Sequence, residues 1–193
     1  MNRSGKIHQI TLTAILMAVI LLMAYTPLGY LRLGMVEITF LTIPVVIGAI
    51  VLGPWWGAFL GAVFGATSFA QCFSTSVFGA ALLSINPFYT FVVCMVPRIL
   101  IGLVAGFLFR LLHKVDKAGI ISFVITAISG ALTNTVFFVG LVVFFFKDTY
   151  FGGSAFWPIF LSFFTLNVVL EVLVCGVISA ALSKVMVRLI LKK

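Results

Sequence analysis

Long apolar runs, broken by short clusters of glycine, proline and charge, set the pattern of this chain. A helix that crosses a bilayer needs about 20 consecutive, mostly apolar residues. Six segments meet that need, near 9–26, 37–53, 56–72, 88–109, 119–146 and 157–184. The second and third are short and are separated by "GPWW", Gly53 to Trp56. Gly53 and Pro54 stop a helix and paired tryptophans suit the membrane interface, so these segments predict a tight helical hairpin. A five-span alternative, with the second segment re-entrant, stays open.

Composition turns that pattern into a class. Of 193 residues, 63% are hydrophobic and 8% charged, and mean hydropathy is +1.32. Typical soluble domains carry about 25% charged residues. A soluble core cannot bury that much apolar surface, so lipid is the solvent. The expected fold class is an all-α membrane protein with six transmembrane helices, forming one domain over residues 1–193. The run from Ile10 to Ala24 reads as the first span, because no small-residue cleavage site and hydrophilic mature region follow it. Cys72, Cys94 and Cys175 stand in apolar segments without metal-ligand spacing, and packed thiols are expected. His8 and His113 lie in basic flanks, so no metal or catalytic histidine is expected in the bilayer.

The net charge of +8 would suit nucleic acid, but its placement does not. Arg3, Lys6, Arg110, Lys114, Lys117, Lys184, Arg188, Lys192 and Lys193 fall on one side of a six-span chain; Arg32 and Lys147 fall on the other. The positive-inside rule then makes both termini cytoplasmic. The outer connections, 27–36, 73–87 and 147–156, are rich in Gly, Pro, Ser, Thr and aromatics. They read either as a recognition face or as plain connectors. No internal repeat is visible, which weakens an inverted-repeat transporter.

Small residues recur at intervals of four: Ala14 and Ala18; Gly57, Gly61 and Gly65; Gly102 and Gly106. That spacing puts each set on one helix face, where backbones approach closely. For the glycines the expectation is packing within the chain. The alanine pair could serve a partner protein.

Polar residues inside the spans share a depth. At about 1.5 Å rise per residue, Arg98 lies about 13 Å from the outer end of its helix, Asn167 about 15 Å and Glu171 about 20 Å. Asn134 sits slightly higher, and Thr67, Ser68 and Gln71 occupy the outer half of their helix. Thr39 and Thr42 follow Glu37 near the outer end of theirs. An intramembrane arginine costs about 2.5–3.5 kcal/mol and usually faces the protein interior or a cavity. Arg98 could pair with Glu171, or its fork could hold a ligand carboxylate. Pro97 adds a signal, because a proline frees the carbonyl four residues back, here Val93. Asn86, Pro87, Phe88 and Tyr89 stand at the mouth of this helix and read as a cap over a ligand or as an interfacial turn. There is no phosphate-binding "GxxxxGK[ST]" stretch and no nucleophile–base set, so neither an ATPase nor an enzyme is expected, and no cofactor. A self-sufficient transporter or channel subunit remains a rival, but an ion relay built from so few carboxylates would be thin.

The runs "VEITFLTIPVVIGAIVLGPWWGAFLGAVFGATSF" and "LLSINPFYTFVVCMVPRILIGLVAGFLF" resemble the substrate-binding S-component of energy-coupling factor (ECF) vitamin transporters. The likeness covers nearly the whole chain. Its most specific parts are "IPVVIGAIVLGP" (43–54) and "MVPRILIG" (95–102), and within the family it looks most like the pantothenate type. Some relatives carry histidine before the Ile-Pro, where this chain has Thr42.

The resemblance implies a six-helix bacterial plasma-membrane protein that binds one vitamin near the outer face, closed by the loop after the first helix. It implies partners as well: a membrane coupling protein (EcfT-type) and two ATPase subunits (EcfA-type), with Ala14 and Ala18 fitting the family's Ala-x-x-x-Ala docking pattern. The residues expected at the vitamin are Arg98 on a carboxylate, with Asn134, Asn167, Asn86, Thr67, Gln71, Tyr89 and Glu171 around it. Riboflavin, folate and cobalamin remain alternatives to pantothenate.

Overall fold

The computed structural model describes residues 3–27, 29–33, 36–114 and 120–150, together with Ile178, Ala181 and Val185. Helix α1 (Arg3–Ala24) leads into a two-stranded hairpin, β1 (Tyr30–Leu33) and β2 (Val36–Thr39). Then come α2 (Thr42–Val51), α3 (Pro54–Gln71), α4 (Val77–Ile85), α5 (Pro87–Leu112) and α6 (Ile120–Tyr150). Among the described residues, three helical segments are long and apolar enough to cross a bilayer: Lys6–Ala24, Pro87–Leu112 and Ile121–Phe146. The sixth expected span, 157–184, lies outside the described residues apart from Ile178 and Ala181.

Two expectations need correction. The second segment does not begin as helix at 37. Val36 to Thr39 instead pairs antiparallel with Tyr30 to Leu33, in the register Tyr30↔Thr39 through Leu33↔Val36. The β-branched Val36, Ile38 and Thr39 favour a pleated partner over a helical turn. Helix α2 starts only at Thr42, with Pro44 in its first turn, where a missing N–H breaks no helical hydrogen bond. Its 10 residues span about 15 Å, half the roughly 30 Å hydrocarbon core. The second correction concerns the 73–87 connection, which contains a helix of its own. The Ser76 hydroxyl caps α4 by accepting from the Gly79 N–H at 3.1 Å. Pro87 ends it, since the residue before a proline is pushed to extended backbone, and Asn86 has φ −155° and ψ 108°.

The "GPWW" hairpin is present between α2 and α3. Gly53 has φ +107°, a conformation that side chains with a Cβ rarely adopt, and Pro54 opens α3 at its first turn.

The glycine faces of α3 and α5 form the most extensive helix contact. A Cβ on Gly57 or Gly102 would strike the other helix's backbone, one on Gly61 would strike the Arg98 carbonyl, and one on Gly106 would strike Pro54. These glycines pack within the chain, as expected, and they press α5 at Arg98 against α3. Below, Leu16, Ile20, Val45, Leu60, Phe64 and Ile101 join α1, α2, α3 and α5 in the main apolar core.

We predict that Gly61→Ala destabilises the detergent-purified protein by about 1–3 kcal/mol, the usual scale of overpacking. Gly140→Ala is the control, since a Cβ there meets nothing within 4 Å. Equal thermal midpoints for the two variants would contradict the close α3–α5 contact.

Candidate functional site

Arg98 sits in α5 with only 6% of its surface exposed. Its Nη1 donates to the Val93 carbonyl at 2.9 Å, the acceptor that Pro97 leaves without its helical donor. Its Nη2 donates to the Ser68 hydroxyl on α3 at 3.4 Å. The guanidinium lies over the Phe138 ring of α6 at 4.6 Å and the Phe64 ring of α3 at 5.4 Å. In a desolvated setting such cation–π contacts contribute about 2 kcal/mol. Nε is buried and has no partner among the described residues. Three helices thus hold the cation in place, while described residues take only part of its five-donor fork.

Arg98 lines a cavity of about 90 Å³. Tyr30 and Thr39, opposite each other at the base of the β-hairpin, form one boundary. The rest comes from α3 through α6 and the α4 cap. One part of the wall is polar, with Ser68, Gln71, Thr90, Asn134 and Thr135. Another is branched and apolar, with Leu82, Val93, Val139, Val142 and Val143. Such a lining suits a small amphipathic anion: a charged end at Arg98, hydrogen-bonding groups along the polar wall and a compact apolar part against the valines.

Of the residues expected from sequence, Arg98, Asn134 and Gln71 meet at this cavity. Gln71 is also a fastener, because its Nε2 donates to the Ala24 carbonyl at the end of α1. Thr67 is buried but outside the cavity wall, and its hydroxyl donates to the Phe64 carbonyl at 2.8 Å. Asn86 is occupied as the cap of α5, accepting from the N–H groups of Phe88 at 3.0 Å and Tyr89 at 3.2 Å. Tyr89 stacks on Phe145 at 4.6 Å, outside the wall. Asn167 and Glu171 lie outside the described residues. Ala14 and Ala18 are exposed on α1.

Further signals of this site lie in the sequence. Thr90, Cys94 and Arg98 are four apart, so they share a face, and all three line the cavity. Thr135 follows Asn134 directly. Tyr30 could be found only by reading "YLRLGMVEIT" as a hairpin, two alternating runs around a two-residue break. Cys72 and Cys94 approach to 3.8 Å between sulfurs, both buried and unbridged, in keeping with packed thiols.

We predict that Gln71→Leu lowers the thermal midpoint, because it leaves the Ala24 carbonyl without this donor, a loss of about 1–3 kcal/mol. An unchanged midpoint would mean that the end of α1 does not depend on α3.

Comparison with known proteins bears on what such a cavity serves. Residues 8–190 match the family model described as ECF transporter, substrate-specific component. The Pantothenate transporter PanT of Leuconostoc mesenteroides is 35% identical over 147 residues, covering 72% of this chain and 70% of that protein. The Pantothenic acid transporter PanT of Lactococcus lactis subsp. cremoris is 32% identical over 125 residues, covering 59% and 60%. The fold is similar to that of an S-component for biotin from an ECF-type ABC transporter, with a TM-score of 0.64 and 17% identity over 95% of each chain.

Proposed function

Because this chain belongs to the substrate-specific components of ECF transporters, we propose that it captures pantothenate at the outer face of a bacterial plasma membrane. Delivery inward then depends on partner subunits. The single observation that carries the vitamin assignment is the Arg98 cavity: one held cation, with donors that no described residue takes, beside both a polar and a valine-rich wall. Pantothenate has matching parts. Its one carboxylate goes to Arg98 as a charge-assisted pair. Its amide and hydroxyls go to Asn134 and the polar wall near Gln71. Its geminal methyl groups go against Val139, Val142 and Val143. Asn167 adds a further hydrogen bond, and Glu171 steadies Arg98 from below. Asn86 and Tyr89 support this from the end of α5 by capping and stacking, and Thr67 supports it from within α3. The two relatives that carry pantothenate in their names support the same choice.

The protein binds and hands over substrate and is not itself an enzyme. ATP hydrolysis belongs to two EcfA-type subunits, joined through an EcfT-type membrane coupling protein. The reading of six spans with both termini cytoplasmic rests on the six apolar runs and on the placement of lysine and arginine between them. Helix α1 is the docking element. Ala14 and Ala18 lie on its exposed face with Thr11, Ile15 and Leu22, a smooth stripe on which a partner helix can approach closely.

The decisive assay titrates labelled pantothenate, biotin and riboflavin against the purified protein. We expect tight pantothenate binding that weakens by at least about 30-fold in Arg98→Ala, since removing one member of a buried charge pair costs about 2–5 kcal/mol. Tight binding of another vitamin with none of pantothenate overturns the substrate. Full pantothenate affinity in a folded Arg98→Ala protein overturns the carboxylate role. Separately, Ala14→Leu with Ala18→Leu should abolish co-purification of the coupling module while leaving vitamin binding intact. Retained co-purification would remove α1 as the docking face.

A further inference from the structure

We propose that Pro97 is a positioning residue for the anion site, acting through the Val93 carbonyl on the orientation of the Arg98 guanidinium. This rests on the pantothenate reading above and deepens it. In an uninterrupted helix the N–H of residue 97 would bond the carbonyl of residue 93. Proline has no N–H, so that acceptor is left without its helical donor at a fully buried residue inside a membrane span. Such a carbonyl needs a donor. The next residue supplies one: Arg98 folds back along its own helix, and Nη1 reaches the Val93 carbonyl at 2.9 Å.

That bond does two things at once. It satisfies the carbonyl, and it commits one end of the fork to the protein. Ser68 takes a second donor on Nη2 at 3.4 Å, and the rings of Phe64 and Phe138 fix the guanidinium plane. What remains is directional. Nε is closed off by the packing, so the hydrogens that Nη1 and Nη2 do not spend on Val93 and Ser68 are the ones left to meet a carboxylate in the cavity that Arg98 lines. A flexible arginine would have to order itself upon binding, and this one is already ordered. The proline thus makes an acceptor that holds the anion anchor.

The chemistry predicts a selective effect. Pro97→Ala brings back a backbone N–H that competes with Nη1 for the Val93 carbonyl. Arg98 keeps its charge but loses its fixed direction. Only the carboxylate end of the ligand should feel this. Panthenol, the uncharged alcohol analogue of pantothenate, reports on the rest of the cavity.

The test measures both ligands by calorimetry on the purified full chain, for wild type, Pro97→Ala, Arg98→Ala and the double variant. We expect Pro97→Ala to weaken pantothenate by about tenfold, the scale of one charge-assisted hydrogen bond, with panthenol changed by less than about twofold. In the Arg98→Ala background, adding Pro97→Ala should leave the pantothenate-to-panthenol ratio unchanged, the signature of two residues acting as one unit. Pro97→Gly, which also restores the N–H, serves should the alanine variant fail to fold. An equal loss for both ligands makes the proline a structural kink and overturns the inference. So does a ratio that Pro97→Ala leaves unchanged while Arg98 is present, or a proline effect on the ratio that persists without Arg98. Wild-type protein that binds no pantothenate rejects the vitamin reading and the inference with it, whereas wild-type binding with an unmoved ratio rejects the inference alone.

Discussion

A cation inside a membrane span is the constraint on which the rest of this structure depends. Removing a guanidinium from water at that depth is unfavourable unless the protein replaces its hydration. Here the replacement is distributed. Val93 gives a carbonyl from the same helix, Ser68 gives a hydroxyl from α3, and Phe64 and Phe138 give the faces of two rings. The partners on α3 and α6 come from helices that must be held close to α5. The glycine faces do this for α3 and α5, and the Gly61 position lies directly on the Arg98 carbonyl. Packing and electrostatics are therefore one design: the small residues that bring the backbones together also bring the partners to the charge.

The cavity follows from the same arrangement. Once α3, α5 and α6 converge on Arg98, the last turns of α3, the first turns of α5 and the later half of α6 enclose a small space. The β-hairpin and α4 complete its walls. The hairpin reaches the cavity through Tyr30 and Thr39, a directly paired position in the register. Gln71 ties the end of α1, just before that hairpin, to the end of α3. The hairpin side of the cavity is thus fastened to the helical body at one edge, in a chain that belongs to the substrate-specific components of ECF transporters. Helix α1 then carries the surface left over, an exposed stripe with Ala14 and Ala18 that no described element covers.

Much of this was legible in the residues. The depth count brought Arg98, Gln71 and Asn134 into one layer, because helical rise converts sequence distance into height with little error over ten residues. The glycine spacings and "GPWW" were equally plain, since only glycine permits a close approach or a φ of +107°. The hairpin was obscured because four-residue strands look like the end of an apolar helix until their partner is known. Helix α4 was obscured by length, since nine residues fall well below a span. Asn86 and Tyr89 show a different limit. A polar residue at a helix mouth can cap the helix or touch a ligand, and sequence alone gives both roles the same appearance.

The most direct measurement of the central claim is an experimental structure of the protein with pantothenate bound. The account predicts the carboxylate within about 3.2 Å of the Arg98 guanidinium nitrogens, with Nη1 still on the Val93 carbonyl. A carboxylate bound away from the Arg98 guanidinium would contradict it.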